Sequence, residues 1–279
     1  MPSRQHHTPT VDRLPLKIGS VPYANAWPLT RFLPEMFPGS VLTSHIPAQL
    51  QFRLIAHHLD IALTPLAALM ELPTGSILGN ACIACHGPVE SVLIYAKRPL
   101  ESLRHIAMDV SSRSSVLLAE ILFREFYGVR PVQYQLAENT DPMETPTDAF
   151  LLIGDPALRF RQREPWEYRY DIGTLWKEKT GLPFVFAAWI ACHDKHRDDV
   201  AIARTLQSAR DRGCEDIAGV VADRASESPV SLERLHDYLG RSIRYTIGEE
   251  ERIAIDTYFK LAMIHRLMPR RIPVSFVDP

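Results

Sequence analysis

The sequence predicts an α/β fold in which two lobes enclose a cleft. The chain has 279 residues, more than one hydrophobic core usually serves. Short apolar runs alternate with amphipathic segments between residues 16 and 194, which is typical of strands and crossover helices. Beyond about residue 195 only helical periodicity remains. We therefore expect a first lobe that the chain leaves and re-enters, with a helical C-terminal segment returning to it.

The first lobe begins with strands and helices in strict alternation. Apolar runs predict strands at 16–21, 40–46 and 60–65, and amphipathic segments predict helices at 25–36, 47–58 and 66–72. Asn25 is a suitable N-cap for the first helix, with Pro28 in its first turn. This order favours a parallel sheet. Two extended runs then flank His86-Gly87-Pro88 within 79–99.

A second alternating unit follows, and helices complete the chain. Predicted strands lie at 105–109, 132–136, 149–155 and 182–194, and predicted helices at 111–128, 170–181, 198–213, 214–226, 231–240 and 248–268. We assign residues 1–15 to a flexible tail, 16–96 with 193–279 to lobe 1, and 97–192 to lobe 2. Two crossing strands then form a hinge, and a ligand is expected in the cleft between the lobes.

Composition excludes several classes of protein. Apolar residues make up 46% and charged residues 23% of the chain, which excludes disorder and a small disulfide scaffold. With 31 Lys+Arg against 33 Asp+Glu, no global basic field attracts nucleic acid or a membrane surface. The longest apolar run, 182–192, falls far short of the ~20 residues of a membrane helix. The first seventeen residues carry no export signal, so we expect a cytoplasmic protein whose four cysteines are thiols.

One motif points in a misleading direction. The run from Cys82 to His86 reads Cys-Ile-Ala-Cys-His, a pattern known from c-type haem attachment and, in part, from redox and zinc sites. Haem attachment needs an export signal, and the other two cysteines form no second close pair for zinc. On a strand, Cys82 and Cys85 face opposite sides of the sheet. We interpret them as small buried residues and expect neither metal nor cofactor.

A serine-rich turn is the first candidate ligand site. Ser111-Ser112-Arg113-Ser114-Ser115 lies between a predicted strand and a predicted helix. Hydroxyls and free N–H groups at a helix N-terminus form a site for a carboxylate or phosphate. Capping of the helix is the alternative, but it requires only one serine. We select Ser112, Ser114 and Ser115 as binding residues.

Other candidates also lie next to predicted strands. Gly154 and Asp155 follow the strand at 149–155, where the glycine allows close approach of a ligand and the aspartate can instead cap a helix. Tyr23 and Asn25 follow the first strand and combine an aromatic ring with an amide that donates and accepts. Ser91 precedes a strand on the hinge side. Ligands of open α/β sheets bind at such carboxyl ends.

These segments together resemble one known family, the chorismate dehydratases of the futalosine route to menaquinone. The resemblance extends from about residue 16 to 277. It rests on six motifs in order: Tyr23-x-Asn25-x-x-Pro28-Leu29, Asp60 to Pro65, Gly87-Pro88-Val89-x-Ser91-Val92, Ser111 to Val116, Ile153-Gly154-Asp155-x-Ala157-Leu158, and Leu182 to Ala187 with Trp189. The family usually has serine before the tyrosine and a larger apolar residue after it, where this chain has Pro22 and Ala24.

The resemblance implies the two-lobed fold of type 2 periplasmic binding proteins and a cytoplasmic hydro-lyase. Its reaction removes water from chorismate and leaves 3-[(1-carboxyvinyl)oxy]benzoate. By resemblance Asn25 is the catalytic residue, and Tyr23, Ser91, the three serines, Gly154 and Asp155 surround the substrate. The residue types fit this assignment, because chorismate carries two carboxylates. An amide cannot act as the base, so the base is either Asp155 or a carboxylate of the substrate.

Two other functions remain as alternatives. One is a sister enzyme of the same pathway, with the same fold, that acts on a cyclised futalosine-derived nucleoside. The other is a non-catalytic cytoplasmic sensor that binds a small molecule in the same cleft. In each case we expect a small-molecule partner, no nucleic acid and no membrane, and a monomer or a homodimer.

Overall fold

Two β-sheets organise the described part of the chain. The computed structural model describes residues 15–72, 74–136, 141–160, 166–194, 196–269 and 272–279. The predicted tail, apart from residue 15, lies outside these ranges. The strands are β1 (Lys17–Ser20), β2 (Val41–Ser44), β3 (Ile61–Pro65), β4 (Gly75–Cys85), β5 (Val92–Ala96), β6 (His105–Met108), β7 (Val132–Gln135), β8 (Ala149–Ile153), β9 (Tyr168–Asp171), β10 (Phe184–Cys192), β11 (Arg244–Thr246) and β12 (Ser275–Val277).

Helices connect these strands and follow them. They are α1 (Trp27–Thr30), α2 (Leu33–Met36), α3 (Pro47–Ile55), α4 (Arg113–Ile121), α5 (Asp155–Arg159), α6 (Ile172–Thr180), α7 (Asp199–Glu215), α8 (Ile217–Arg224), α9 (Leu232–Asp237) and α10 (Glu249–Ile264). Short 3-10 turns occupy Ala24–Ala26 and Leu66–Met70, and π-helical turns extend α4 over Leu122–Phe126 and α9 over Tyr238–Ser242. The predicted helices at 66–72 and 25–36 are therefore short turns or broken helices. Pro34 contributes to the break within 25–36, since proline cannot continue a helix in its interior.

The larger sheet has the strand order β11-β4-β10-β3-β1-β2, and β12 adds to β4. β1 runs parallel to β2 and β3, as the alternating order predicts. β10 is antiparallel to β3 and β4, so the sheet as a whole is mixed. The C-terminal helices return to it as expected: Tyr258 of α10 packs its ring against Phe184 of β10, with centroids 5.1 Å apart.

The smaller sheet has the order β7-β6-β8-β5-β9 and is covered on both faces. Alternate residues of β5 belong to different cores: Val92, Ile94 and Ala96 join the main core, whereas Leu93 and Tyr95 join a second cluster with Trp166. Because successive strand side chains point to opposite faces, this division shows that the sheet lies between two apolar layers. The main core is shared with the larger sheet.

The chain crosses between the sheets at residues that differ from the expected boundaries. It leaves β4 through segment 86–91, enters the smaller sheet at β5, and returns from β9 through α6 to β10. β5, assigned above to lobe 1, is thus a strand of the smaller sheet, and β10, assigned to lobe 2, is a strand of the larger one. An apolar run indicates a buried strand without indicating the sheet that contains it, which explains the difference.

Three short strands have no counterpart among the predicted elements. β9 begins at Tyr168 and overlaps only the first two residues of the segment predicted as the helix 170–181. β11 and β12 lie in the part predicted to be helical only. All three are edge or added strands with partly exposed residues, so they lack the continuous apolar run that marks a central strand.

Asp171 joins the two crossings. Its carboxylate accepts hydrogen bonds from the backbone N–H of Val89 (3.0 Å) and Glu90 (2.7 Å), and it caps α6 by accepting from Thr174 N (3.0 Å). The crossing segment needs such support because its backbone is unusual: Gly87 has φ 113° and Glu90 has φ 60°. The side chain of Asp171 therefore fixes the position of the two connections between the sheets relative to each other.

No helix in the described ranges is long and apolar enough to cross a membrane.

Replacing Asp171 with alanine is expected to lower the free energy of unfolding by about 2 kcal/mol, because it removes a charged acceptor from several buried N–H groups. Asp171→Asn keeps one acceptor oxygen and is expected to lose less. Urea denaturation followed by circular dichroism measures both. Asp237→Asn is the control, since Asp237 pairs with Arg241 on the exposed surface and such pairs contribute little. Equal losses for Asp171→Ala and Asp237→Asn would contradict this role.

Candidate active site

A cleft lined by residues of both sheets is the candidate active site. Its non-atom space is about 460 Å³ when the part open to solvent is counted. The ends of β1 and β3 meet the ends of β6 and β8 here, as ligand sites of α/β sheets require. Of the eight residues selected from the sequence, six line the cleft: Tyr23, Asn25, Ser91, Ser112, Ser115 and Gly154.

Asn25 contributes an amide oxygen that has no hydrogen-bond partner in the described structure. It lies in the turn that follows β1, and its Oδ1 is fully buried. The expectation that Asn25 caps the first helix is wrong, because the residue before α1 is Ala26 and the amide instead lines the cleft. A buried acceptor left without a partner costs free energy, and the Asn25 side chain lines the cleft, so this amide is a candidate for contact with a ligand.

The N-terminus of α4 contributes two hydroxyl groups. Ser112 precedes the helix, but its side chain makes no capping hydrogen bond, so the capping alternative does not account for it. Ser115 Oγ donates to Ser112 Oγ at 3.1 Å, and both serines are buried. The first N–H groups of a helix have no partner within it. This end of α4 therefore offers hydroxyl and N–H donors to an anionic group.

Ser114 lies outside the cleft lining, in contrast to the expectation. Its Oγ accepts a hydrogen bond from Ala67 N at 2.9 Å, and its backbone oxygen accepts one from the Tyr258 hydroxyl at 3.2 Å. Residues 112 and 115 lie one helical turn apart and share a face, whereas residue 114 points elsewhere. Ser114 thus connects α4 to the larger sheet.

Beside the cleft, a cluster of three polar side chains bridges the smaller and the larger sheet. Arg113 of α4 pairs with Glu71 and lies 3.3 Å from Gln51 Oε1 on α3, while Gln51 Nε2 donates to Glu71. Three side chains from three segments therefore connect the helix of the smaller sheet to the larger one.

Gly154 and Asp155 lie where β8 ends. Gly154 has φ 74° and ψ −148°, and an ideal Cβ at this position would lie only 3.0 Å from Tyr23 Cδ1, so the Tyr23 ring rests on the glycine backbone. Asp155 is the first residue of α5 rather than its N-cap, and its carboxylate accepts from Ala24 N at 3.3 Å. It lies behind the turn that carries Tyr23 and Asn25 and is not part of the cleft lining.

Burial changes the acid–base properties of Asp155 and Tyr23. It raises the pKa of the Asp155 carboxyl, an effect that the Ala24 N–H and Arg159 oppose. Burial also raises the pKa of Tyr23, which keeps its phenol protonated at neutral pH. Asp155 therefore holds a proton more tightly than an exposed aspartate does, as a general base requires.

Ser91 is buried and is held by a tyrosine that sequence reasoning missed. The Tyr238 hydroxyl donates to Ser91 Oγ at 2.7 Å, and the Asn25 side chain lies near that hydroxyl. Tyr238 is separated from Ser91 by 147 positions and stands in a segment of helical periodicity, where an aromatic residue indicates only core packing. No local sequence signal connects it to the cleft.

The described residues that line the cleft carry no formal charge. Besides the polar groups, the lining consists of apolar side chains such as Ile83, Val89, Val92, Ile153 and Phe186. An anionic ligand would therefore be held by neutral donors and by the helix N-terminus rather than by lysine or arginine. The apolar surface suits a ring.

All four cysteines are free thiols, as predicted. Cys82 and Cys85 are fully buried in β4, and burial raises the pKa of both thiols. Cys82 lies near Arg210 and Glu251, whereas Cys85 lies near Asp171, so the two thiols have different surroundings.

Residues 16–263 match the model of a protein family described as menaquinone biosynthesis. The chain belongs to this menaquinone biosynthesis family. The resemblance noted from the motifs is thereby confirmed at the level of the family.

Curated relatives carry a more specific name. A chorismate dehydratase of Thermus thermophilus is 28% identical over 264 residues, which cover 88% of this chain and 94% of that protein. A chorismate dehydratase of Campylobacter jejuni is 27% identical over 113 residues, which cover 40% of this chain and 48% of the relative.

Solved structures confirm the expected fold class. The protein AF1704 of Archaeoglobus fulgidus superposes with a TM-score of 0.71 at 15% identity, covering 91% of this chain and 98% of that one. The periplasmic aliphatic sulphonate binding protein SsuA of Escherichia coli superposes with a TM-score of 0.63 at 16% identity, covering 92% and 89%. The chain therefore has the fold of periplasmic binding proteins.

Gly154→Ala is expected to destabilise the protein by about 2 kcal/mol or more, because the added Cβ strains a backbone conformation nearly confined to glycine and collides with the Tyr23 ring. Gly181→Ala is the matched control: Gly181 has φ 73°, but a Cβ there meets nothing within 4 Å, so we expect about 1 kcal/mol. Thermal and urea unfolding compare the two. A smaller loss for Gly154→Ala than for Gly181→Ala would show that Tyr23 does not rest on Gly154.

Proposed function

We propose that this protein is an enzyme, a hydro-lyase that converts chorismate to 3-[(1-carboxyvinyl)oxy]benzoate and water. The observation that carries the proposal is the position of Asn25. Its side chain lines the same cleft as the hydroxyl groups at the N-terminus of α4, and its buried amide oxygen has no hydrogen-bond partner in the described structure. The relative from Thermus thermophilus, which carries the name of this activity and aligns over most of the chain, supports the choice of reaction.

The two sides of the cleft suit the two ends of the substrate. One carboxylate of chorismate is placed at Ser112 and Ser115, where neutral donors converge. The ring then lies against Val89 and Phe186, close to Asn25. Holding the ring between these groups supplies the orientation that an elimination requires.

The reaction breaks two bonds of the ring. A base takes the proton from the ring carbon that bears the enol ether, the C–H electron pair forms a ring double bond, and the C–O bond to the neighbouring hydroxyl breaks. The protonated base returns its proton to the departing hydroxyl, which leaves as water. The ring becomes aromatic, which is a large driving force, and no electrons enter or leave, so the proposal includes no redox cofactor and no metal. Asn25 hydrogen-bonds the substrate where charge develops.

Asp155 is proposed as the base, with a carboxylate of the substrate as the second candidate. Its raised pKa favours proton uptake, and its hydrogen bond to Ala24 N places it directly behind the turn that bears Asn25. In this structure the carboxylate lies outside the cleft lining, so proton transfer to Asp155 would require this turn to move. The cytoplasmic location and the monomeric or homodimeric state expected from the sequence remain part of the proposal.

Asn25→Ala is expected to lower turnover by about 10²–10³-fold, because it removes the amide NH₂ group and this is the range for loss of one donor that stabilises developing negative charge. Metal-stripped protein is mixed with chorismate, and mass spectrometry follows a product lighter by one water. Asn80→Ala is the matched control, because Asn80 Oδ1 is also buried without a partner but lies outside the cleft lining. Asn25→Asp should also be impaired, since it adds a negative charge facing a dianion.

Two results would overturn the proposal. Intact chorismate with wild-type protein would favour the sister enzyme or a sensor, which a nucleoside substrate and a stoichiometric binding assay then distinguish. Near-normal turnover by Asn25→Ala would remove Asn25 from its catalytic role.

If Asp155 is the base, kcat/KM must fall at acidic pH as its carboxylate is protonated. Because burial raises this pKa, the fall is expected to begin at a higher pH than the ordinary aspartate value of about 4. Asp155→Asn should lower kcat/KM by about 10²-fold and remove the acidic limb. An unchanged acidic limb in Asp155→Asn would assign the base to the substrate carboxylate.

A further inference from the structure

The first turn of α4 has two faces, and only one of them belongs to the described lining of the cleft. Ser112 and Ser115 line the cleft, and Ser112 keeps 7% of its surface exposed. Arg113 and Ser114 lie outside that lining and contact residues that follow β3 of the larger sheet. The same turn therefore carries the donors offered to a ligand and the groups that attach those donors to the larger sheet.

Ser114 supplies a cap to the turn that follows β3. The 3-10 turn Leu66–Met70 begins after Pro65, which makes no capping hydrogen bond through its side chain, and the first N–H groups of a helical turn have no partner within it. Ser114 Oγ accepts from one of these groups, Ala67 N, at 2.9 Å. Ser114 is fully buried, so solvent does not reach this bond. Ser114 thus fixes the start of α4 to the end of β3, where Pro65 lines the cleft.

Further contacts hold the same turn of α4. The Tyr258 hydroxyl of α10 donates to the backbone oxygen of Ser114 at 3.2 Å, and it keeps its proton at neutral pH because burial raises the pKa of Tyr258. Arg113 pairs with Glu71, which directly follows the 3-10 turn. The charge of Arg113 is therefore directed to Glu71, and the donors that remain for the cleft are neutral. Ser114 is the residue of this turn that is held from both β3 and α10.

We propose that Ser114 is a positioning residue that holds the first turn of α4 against the larger sheet, so that Ser112 meets the carboxylate of a ligand whose ring lies on Phe186 of β10. This inference rests on the proposed function for the identity of the substrate, since chorismate joins a carboxylate to a ring. Without the Ser114 hydroxyl, the distance between the donors of α4 and the apolar wall of the larger sheet is no longer fixed.

Ser114→Ala tests the role, because it removes one buried acceptor and adds no bulk. The carboxylate placed at Ser112 is charged in the ground state and in the transition state alike, so weaker binding of it raises KM and leaves kcat nearly unchanged. We expect KM for chorismate to rise about tenfold, the effect of weakening a hydrogen bond to a charged group. Ser228→Ala is the matched control: Ser228 is also buried and its Oγ accepts from Val230 N at 3.2 Å, but it lies outside the cleft lining. It should leave both constants unchanged.

The split between KM and kcat separates positioning from general support of the fold. Loss of folded protein lowers kcat per molecule and leaves KM as it is, so a fall in kcat at unchanged KM in Ser114→Ala would overturn the proposal. Tyr258→Phe removes only the contact from α10 and is expected to raise KM by a smaller factor, about threefold. Tyr245→Phe is its control, since Tyr245 is buried and its hydroxyl has no partner among the described residues.

Titration with benzoate distinguishes failure of this inference from failure of the proposed function, because benzoate carries a carboxylate on a ring and undergoes no elimination. The backbone amide resonance of Ser112 is followed in ¹H–¹⁵N spectra of protein labelled with ¹⁵N-serine. We expect half-saturation at an about tenfold higher benzoate concentration in Ser114→Ala than in wild type, and no change in Ser228→Ala. If wild-type protein leaves chorismate intact, the proposed reaction fails, and the titration still decides the inference. A Ser112 resonance that does not respond in wild type, or equal half-saturation in wild type and Ser114→Ala, overturns it.

Discussion

The carboxylate of Asp171 holds together the two places where the chain passes between its sheets. It accepts from the backbone of Val89 and Glu90 on the outgoing crossing and caps α6 on the returning one. Val89 and Ser91 of the outgoing crossing line the cleft. Without this acceptor, a segment with two residues at positive φ would lose the hydrogen bonds that define its path. The position of one wall of the candidate site thus depends on a residue outside it.

The candidate site is assembled from segments that are distant in sequence. Tyr23 and Asn25 follow the first strand, Ser112 and Ser115 begin α4, and Tyr238 lies more than two hundred residues after the first of them. Each segment alone offers a common feature: a polar turn, a helix N-terminus or a buried aromatic residue. The cleft forms where these segments meet. Their meeting places an unpartnered amide oxygen on one side of the site and neutral donors on the other.

The sequence predicts the fold class and most of the cleft because both rest on local chemistry. Alternating apolar runs indicate buried strands, and polar residues directly after them lie at the carboxyl ends, where ligands bind. Ser114 departs from this pattern because its place on the helix directs it to Ala67 rather than to the cleft. Long-range packing decides which sheet contains β5 and which contains β10. It also brings Tyr238 into contact with Ser91. No local pattern encodes either.

Because the described lining of the cleft carries no charge, it distinguishes ligands differently from a site that contains lysine or arginine. Fixed cations attract any anion from a distance, and mobile ions in the medium weaken that attraction over a length of about 10 Å at 0.1 M. Hydroxyl groups and helix dipoles act only over the first contact. From a cleft built of such groups we expect an affinity for anionic ligands that varies little with ionic strength. We also expect inorganic anions, which have no ring to place against the apolar walls, to compete poorly.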